Sequence, residues 1–152
     1  MGQIMRIEDQ FLLALTMWRE NRGGGSSGMQ SVANVILNRA AQKATDAYTE
    51  CTRRLQFSSI TAPKDPELSL WPNDGDPQWE MALAMAELAA QGGLQDLTGG
   101  ATLYYAPRGI VTRKGQTFTL PNGTSIPFPD DWNESVVEFT GEIQNQVFFK
   151  QI

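Results

Sequence analysis

Histidine is missing altogether from the 152 residues, and cysteine occurs once, as Cys51. Imidazole is the usual general base, the usual partner of serine and cysteine nucleophiles and the commonest zinc ligand. Its absence removes Ser-His-Asp hydrolases, Cys-His peptidases and His-ligated zinc amidases together. A lone cysteine excludes an intrachain disulfide, a four-cysteine zinc site and an iron–sulfur cluster. Apolar runs are short: none reaches membrane-spanning length, so no membrane insertion is expected. Met1 to Gln10 carries one arginine and no apolar stretch of signal length, which predicts synthesis in the cytoplasm without a signal peptide and another route to any work outside it. Basic residues are in the minority, 12 Lys plus Arg against 17 Asp plus Glu, for a net charge of −5. That balance, with a pI near 4.7, argues against nucleic acid as a partner. No metal or cofactor is implied, so any catalysis falls to carboxylates, Tyr, Lys, hydroxyls or backbone amides.

What is present suffices for one domain. Hydrophobic residues make up 41% and charged residues 19%, enough for one core, and residues 1–152 read as a single domain. Ile7, Phe11, Leu12, Leu15 and Trp18 keep a helical period, predicting a helix over 7–20. Asn21 to Gly25 contains three consecutive glycines that should end it. Ser27 with Gln30 reads as a capping box opening a second helix toward Lys43. Residues 45–76, interrupted by Pro63, Pro66 and Pro72, read as irregular surface structure. Asp76-Pro77 caps a third helix bearing Trp79, Leu83, Ala86 and Leu88, with Trp79 assigned to the core, and Gly92-Gly93 ends it. Beyond Gly100 the pattern turns to strands: 101–106, a hairpin over 118–126 around Asn122-Gly123, then 136–140 and 146–149. Helices first and a small antiparallel sheet later make an α+β fold.

Glu20 ends the first helix, where the negative end of the helix dipole and burial near Trp18 would raise its pKa. A carboxylic acid protonated near neutral pH is what a glycosidic oxygen needs. Arg19 and Arg22 act the other way, and a solvated glutamate that merely ends a helix is an equally simple account. Asp65, Glu67, Asp74, Asp76, Asp130 and Asp131 are loop acids that either stay solvated or complete a two-carboxylate site. Phe57, Trp71, Tyr104, Tyr105 and Trp132 are either core or platforms for sugar rings, with Gln56, Ser58, Thr98 and Thr102 able to bond sugar edges. Gly23-Gly24-Gly25 follows a helix and precedes no Gly-Lys-Ser/Thr, so it is no Walker loop. Lys114 and Lys150 lie in no apolar run that would make them nucleophiles.

In order along the chain, five blocks resemble the SleB/CwlJ-type cell wall hydrolases. Leu13 to Gly23 (LALTMWRENRG) is similar to the family's "LA-x-x-I-Y/W-G-E-A-R-G-E", and Gly28 to Arg39 (GMQSVANVILNR) to its "G-x-x-A-V-A-x-V-I-L-N-R". Gln56-Phe57-Ser58 matches "Q-F-S", Thr98 to Ala101 followed by Tyr104-Tyr105 matches "T-G-G-A-x-x-Y", and Ile143 to Lys150 matches the closing strand. The resemblance implies a lysozyme-like α+β domain and a lytic transglycosylase cutting the MurNAc–GlcNAc bond of peptidoglycan glycan strands. It places the family's glutamate acid/base on Glu20, and the substrate groove on Gln56, Phe57, Ser58, Thr98, Tyr104 and Tyr105. The family's glycine before the glutamate is Arg19 here, its next acid is Gly24, and a glycine and a histidine of the closing strand are Gln144 and Gln146. Residues 109–131 read as an insertion.

Without a wall-binding module or leader, the reading is a phage endolysin or virion-associated lysin, with phage tail or virion proteins as further partners and the host periplasm or wall as the place of action. The competing reading is a tail adaptor that kept the fold and lost the activity; a muramidase using water is a third.

Overall fold

Asp9 starts the first helix by accepting a hydrogen bond from the backbone N–H of Arg6, at 2.9 Å, while its other oxygen accepts from the N–H of Tyr48. In this computed structural model, which describes residues 5–53 and 56–152 (at Ser58 the backbone alone), α1 spans Ile7–Asn21. Every residue from Leu13 to Arg19 is buried, because α1 packs against several helices at once. Ile7 and Phe11, expected on the buried face, are instead 84% and 42% exposed. A single amphipathic stripe does not describe a helix surrounded along its second half.

The chain does not pass through a loop after α1. Residues 22–24 form a 3₁₀ turn, and α2 runs Gly25–Lys43 with Gly24 as its N-cap, so Ser27 lies inside the helix and opens no capping box. The side chain of Asn21 explains the glycines: a Cβ on Gly24 would sit 2.6 Å from its Oδ1, and one on Gly28 2.7 Å from its Nδ2. Glycine here admits an asparagine side chain between two helices rather than marking a flexible link.

Residues 45–76, read as irregular, hold three short helical pieces: α3 (Ala47–Thr52), α4 (Ser58–Thr61) and a 3₁₀ turn at Pro66–Ser69. Pieces this short cannot display a period. They depend on caps, with Asp46 accepting from the N–H of Thr49 and Asp65 from the N–H of Glu67. Helix α5 spans Pro77–Ala90, and Asp76 accepts from the N–H groups of Gln78 and Trp79, as the sequence predicts. Its buried face is Ala82, Met85 and Ala86, whereas Leu83 and Leu88 are exposed and Trp79 sits half-buried, edge-on to Phe11. The small alanines let α5 lie close to its neighbours, which moves the larger side chains to the rim. From α2, Asn34 donates to the carbonyl of Gln95 and accepts from the N–H of Leu97.

Contacts divide the chain into two compact units, Met1–Leu97 and Thr98–Ile152. In the second, β1 (Leu103–Tyr105), β4 (Val137–Ile143) and β5 (Gln146–Gln151) form an antiparallel sheet in the order β1-β5-β4. β2 (Thr117–Thr119) and β3 (Ser125–Pro127) make the separate hairpin expected around Asn122-Gly123. Gln144 and Asn145 join β4 to β5 with φ of 50° and 66°, the positive pair of a two-residue hairpin turn. Phe118, Phe128, Phe139, Trp132 and Tyr105 gather around Phe149 at centroid separations of 5.1–5.9 Å. Helices N-terminal and strands C-terminal give the α+β class read from the sequence.

Candidate active site

Glu20 lies half-buried in the last turn of α1, and the two arginines close to it in sequence tie that end of the helix to a distant segment. Arg19 is only 7% exposed. Its guanidinium donates to the carbonyls of Ser59 (3.0 Å), Leu68 (3.3 Å) and Leu70 (3.1 and 3.2 Å), and it lies 4.6 Å from the centre of the Trp71 ring. Burial lowers its pKa, with Glu67 and Asp65 pulling the other way; arginine stays a cation regardless. Arg22 forks onto both carboxylate oxygens of Glu67 and stacks 4.1 Å above Trp18. The indole N–H of Trp18 in turn donates to Asp76 at 3.2 Å. Two arginines and a tryptophan thus sew residues 59–76 to the end of the helix that carries Glu20. The bulk and charge that Arg19 brings are directed onto backbone carbonyls, which need a donor when buried.

The groove residues read from the sequence separate into two sets. Gln56 is exposed, just ahead of α4, and the side chain of Ser58 lies outside the described residues. Phe57 is 1% exposed, with the Arg39 guanidinium 5.4 Å from its ring. It packs in the core. In the second unit Thr98 is 1% exposed, its hydroxyl accepting from the N–H of Ala101 in a turn. Thr102 is buried likewise, accepting from the N–H of Gln151. Tyr105 is buried in the aromatic cluster, its hydroxyl donating to Pro127 at 2.7 Å, and burial pushes its pKa up to about 12. It too is core. Tyr104 stays half-buried, stacked on Phe148. Thr98, Thr102 and Tyr105 are buried for one reason: residues flanking a turn or alternating in a strand face inward once the strand pairs.

The loop acids mostly hold local structure. Asp65 and Asp76 cap helices, Glu67 binds Arg22, and Asp130 accepts from the N–H groups of Arg113 and Lys114, which hold its pKa below the ordinary value. Two buried carboxylates, Asp9 and Glu50, escaped the sequence reading. Glu50 is fully buried, accepting from Thr45 (2.6 Å) and Arg53 (2.7 Å), with Lys43 at 3.8 Å. Burial would raise its pKa, but those bonds and charges outweigh burial and hold it below the ordinary value. The only signal was the Arg53 three residues on, a common surface spacing. The buried thiol of Cys51 is pushed up to about 12 by desolvation, which leaves no thiolate near neutral pH. Among the described residues no cluster of three His, Cys, Asp or Glu is arranged to hold a metal, and no helix is long and apolar enough to cross a membrane. The second unit also bears a cleft of about 520 Å³ lined by Arg108, Leu120, Asn122, Ile126, Glu142 and Asn145 among others. It contains none of the candidate catalytic or glycan-binding residues read from the sequence.

A family model described as Cell Wall Hydrolase matches residues 23–149, beginning just past Glu20 and running through both units. Among solved structures, the chain is similar to the catalytic domain of the germination-specific lytic transglycosylase SleB from Bacillus anthracis. The two are 21% identical, the likeness covers 99% of this chain and 100% of that one, and the TM-score is 0.65. No curated protein matches. At that identity the likeness is one of fold, and it is the α+β fold described above.

Proposed function

The chain belongs to the cell wall hydrolase family, and we propose that it degrades peptidoglycan as a lytic transglycosylase, with Glu20 as its one acid/base and residues 1–152 acting as one catalytic domain. The observation that carries this reading is the position of Glu20: a half-buried carboxyl at the C-terminal end of α1, the end of the helix to which Arg19 and Arg22 tie residues 59–76. The negative end of a helix favours a neutral acid over a carboxylate. In the first step the Glu20 carboxyl gives its proton to the oxygen between N-acetylmuramic acid and N-acetylglucosamine as the bond to the muramic C1 breaks. The carboxylate then takes the proton of the muramic C6 hydroxyl as that oxygen bonds to C1 and closes a 1,6-anhydro ring. Glu20 ends protonated and no water is consumed, so one carboxylate suffices. Support for one rather than two comes from Asp65, Glu67, Asp76 and Asp130, each of which already serves a cap, an ion pair or the backbone of a loop. Gln56 and Tyr104 remain candidate glycan contacts, each on its own unit.

The test is mass spectrometry of purified sacculi digested with wild-type protein and with Glu20→Gln. Anhydromuropeptides are expected from the wild type, with a rate loss of about 10²–10⁴-fold in the variant. Reducing-end products would assign a muramidase. No soluble product from two folded proteins would assign the adaptor role.

A further inference from the structure

Trp71 is 60% exposed, although its neighbour Arg19 is 7% exposed. A solitary exposed indole needs no explanation; the way this one is held does. The Arg19 guanidinium lies against one face of the ring, 4.6 Å from its centre. That guanidinium has no freedom of its own, because Nε, Nη1 and Nη2 all donate to carbonyls of residues 59–70. Taking a guanidinium out of water is costly unless its donors are satisfied, and here they are satisfied by the segment that ends at Trp71. The indole is therefore fixed on one side, with its accessible area left to the opposite face and the rim. The brace starts from Arg19, the residue before Glu20 in the last turns of α1, so the indole is tied to the end of the helix that carries the acid. Among the described residues no second exposed indole is braced this way: Trp18 has a guanidinium on its ring too, but is 5% exposed.

We infer that Trp71, braced by Arg19, is a stacking platform for an N-acetylated aminosugar ring of the strand bound next to Glu20. The inference rests on the glycan-cleaving reading and names a contact of the same site. A pyranose presents a face of axial C–H groups that suits an aromatic ring, and a rigid indole gives up little entropy on binding. Because the contact is made to a ring and not to the bond being broken, its loss should weaken binding with little change in turnover.

The experiment titrates a hexamer of β-1,4-linked N-acetylglucosamine into Glu20→Gln protein and into the same protein with Trp71→Phe or Trp71→Ala, following intrinsic fluorescence and heat. Saturable binding with a change in tryptophan emission is expected in the parent, an affinity roughly tenfold lower with Trp71→Ala, and a smaller loss with Trp71→Phe. With sacculi as substrate, the single Trp71→Ala variant should raise KM by a similar factor and leave kcat within about threefold. No hexamer binding by the parent, or equal affinity in parent and variants, overturns the inference. Circular dichroism of Trp71→Phe controls for folding, and a fall in kcat alone also counts against the platform. Sacculi left intact by wild-type protein would refute the glycan-cleaving reading separately, since the hexamer titration needs no turnover.

Discussion

The helical unit buries Asp9, Arg19, Arg39 and Glu50 among its apolar side chains, whereas the sheet unit buries no charged residue and packs aromatic rings around Phe149. Both are small, and each meets the shortage of interior differently. In the helices, short segments with little apolar surface are held by buried charges that bond backbone carbonyls and caps. In the sheet, three short strands and a hairpin are held by large rings meeting edge to face. The difference bears on function. Buried charge requires fixed partners, and fixed partners hold residues 59–76 to the end of the helix that carries Glu20, while the aromatic residues of the sheet are spent on its own core. A tyrosine in a motif is thus weak support for a sugar contact until its exposure is known.

The comparison can be broken most forcefully at Phe149. Phe149→Ala should destabilise the sheet unit by about 3–5 kcal/mol, read as loss of amide protection in β1, β4 and β5; protection that survives would mean the ring cluster is not what holds the sheet. Arg53→Ala attacks the opposite strategy, leaving Glu50 with fewer partners in a buried site, and should cost about 2 kcal/mol in urea unfolding. Glu50 also carries a pH signature. Its folded pKa is below the ordinary 4.5, so its contribution to stability is complete above that value and is lost as pH falls through the folded pKa. The sheet unit has no buried carboxylate, so on acidification helical circular dichroism should decay before the near-ultraviolet signal of the aromatic cluster. Simultaneous decay would remove the distinction.

Smaller effects sharpen it further. Asp76→Ala removes the α5 cap and the acceptor for Trp18, and should lower stability by about 1 kcal/mol, read as a fall in Tm. Gln144→Gly relieves a side chain at φ of 50° in the β4–β5 turn and should stabilise by about 0.5 kcal/mol. No gain there would mean the turn strain is already offset by the Gln144 side chain.

Legibility from sequence followed the length of each signal. The Asp76-Pro77 start of α5, the Asn122-Gly123 hairpin and the end of α2 at Lys43 are local features with local causes, and the structure bears them out. The Gly24 and Gly28 positions were visible as glycines, but their reason, the Asn21 side chain, is a contact between helices. Arg19 was readable only as a departure from the family pattern, because the carbonyls it serves lie 40 to 51 residues away.

By itself, then, the sequence determined the catalytic menu and the class of fold. Without histidine and with one cysteine, an enzyme of this composition is left with carboxylates, Tyr, Lys, hydroxyls or backbone amides, and the order of periodic helices and alternating strands already makes it α+β. Only the tertiary structure decided which residues are within reach. Phe57, Thr98 and Tyr105 turn inward while Trp71 stays out on its arginine brace, because exposure depends on what packs against a side chain, and those neighbours come from distant parts of the chain.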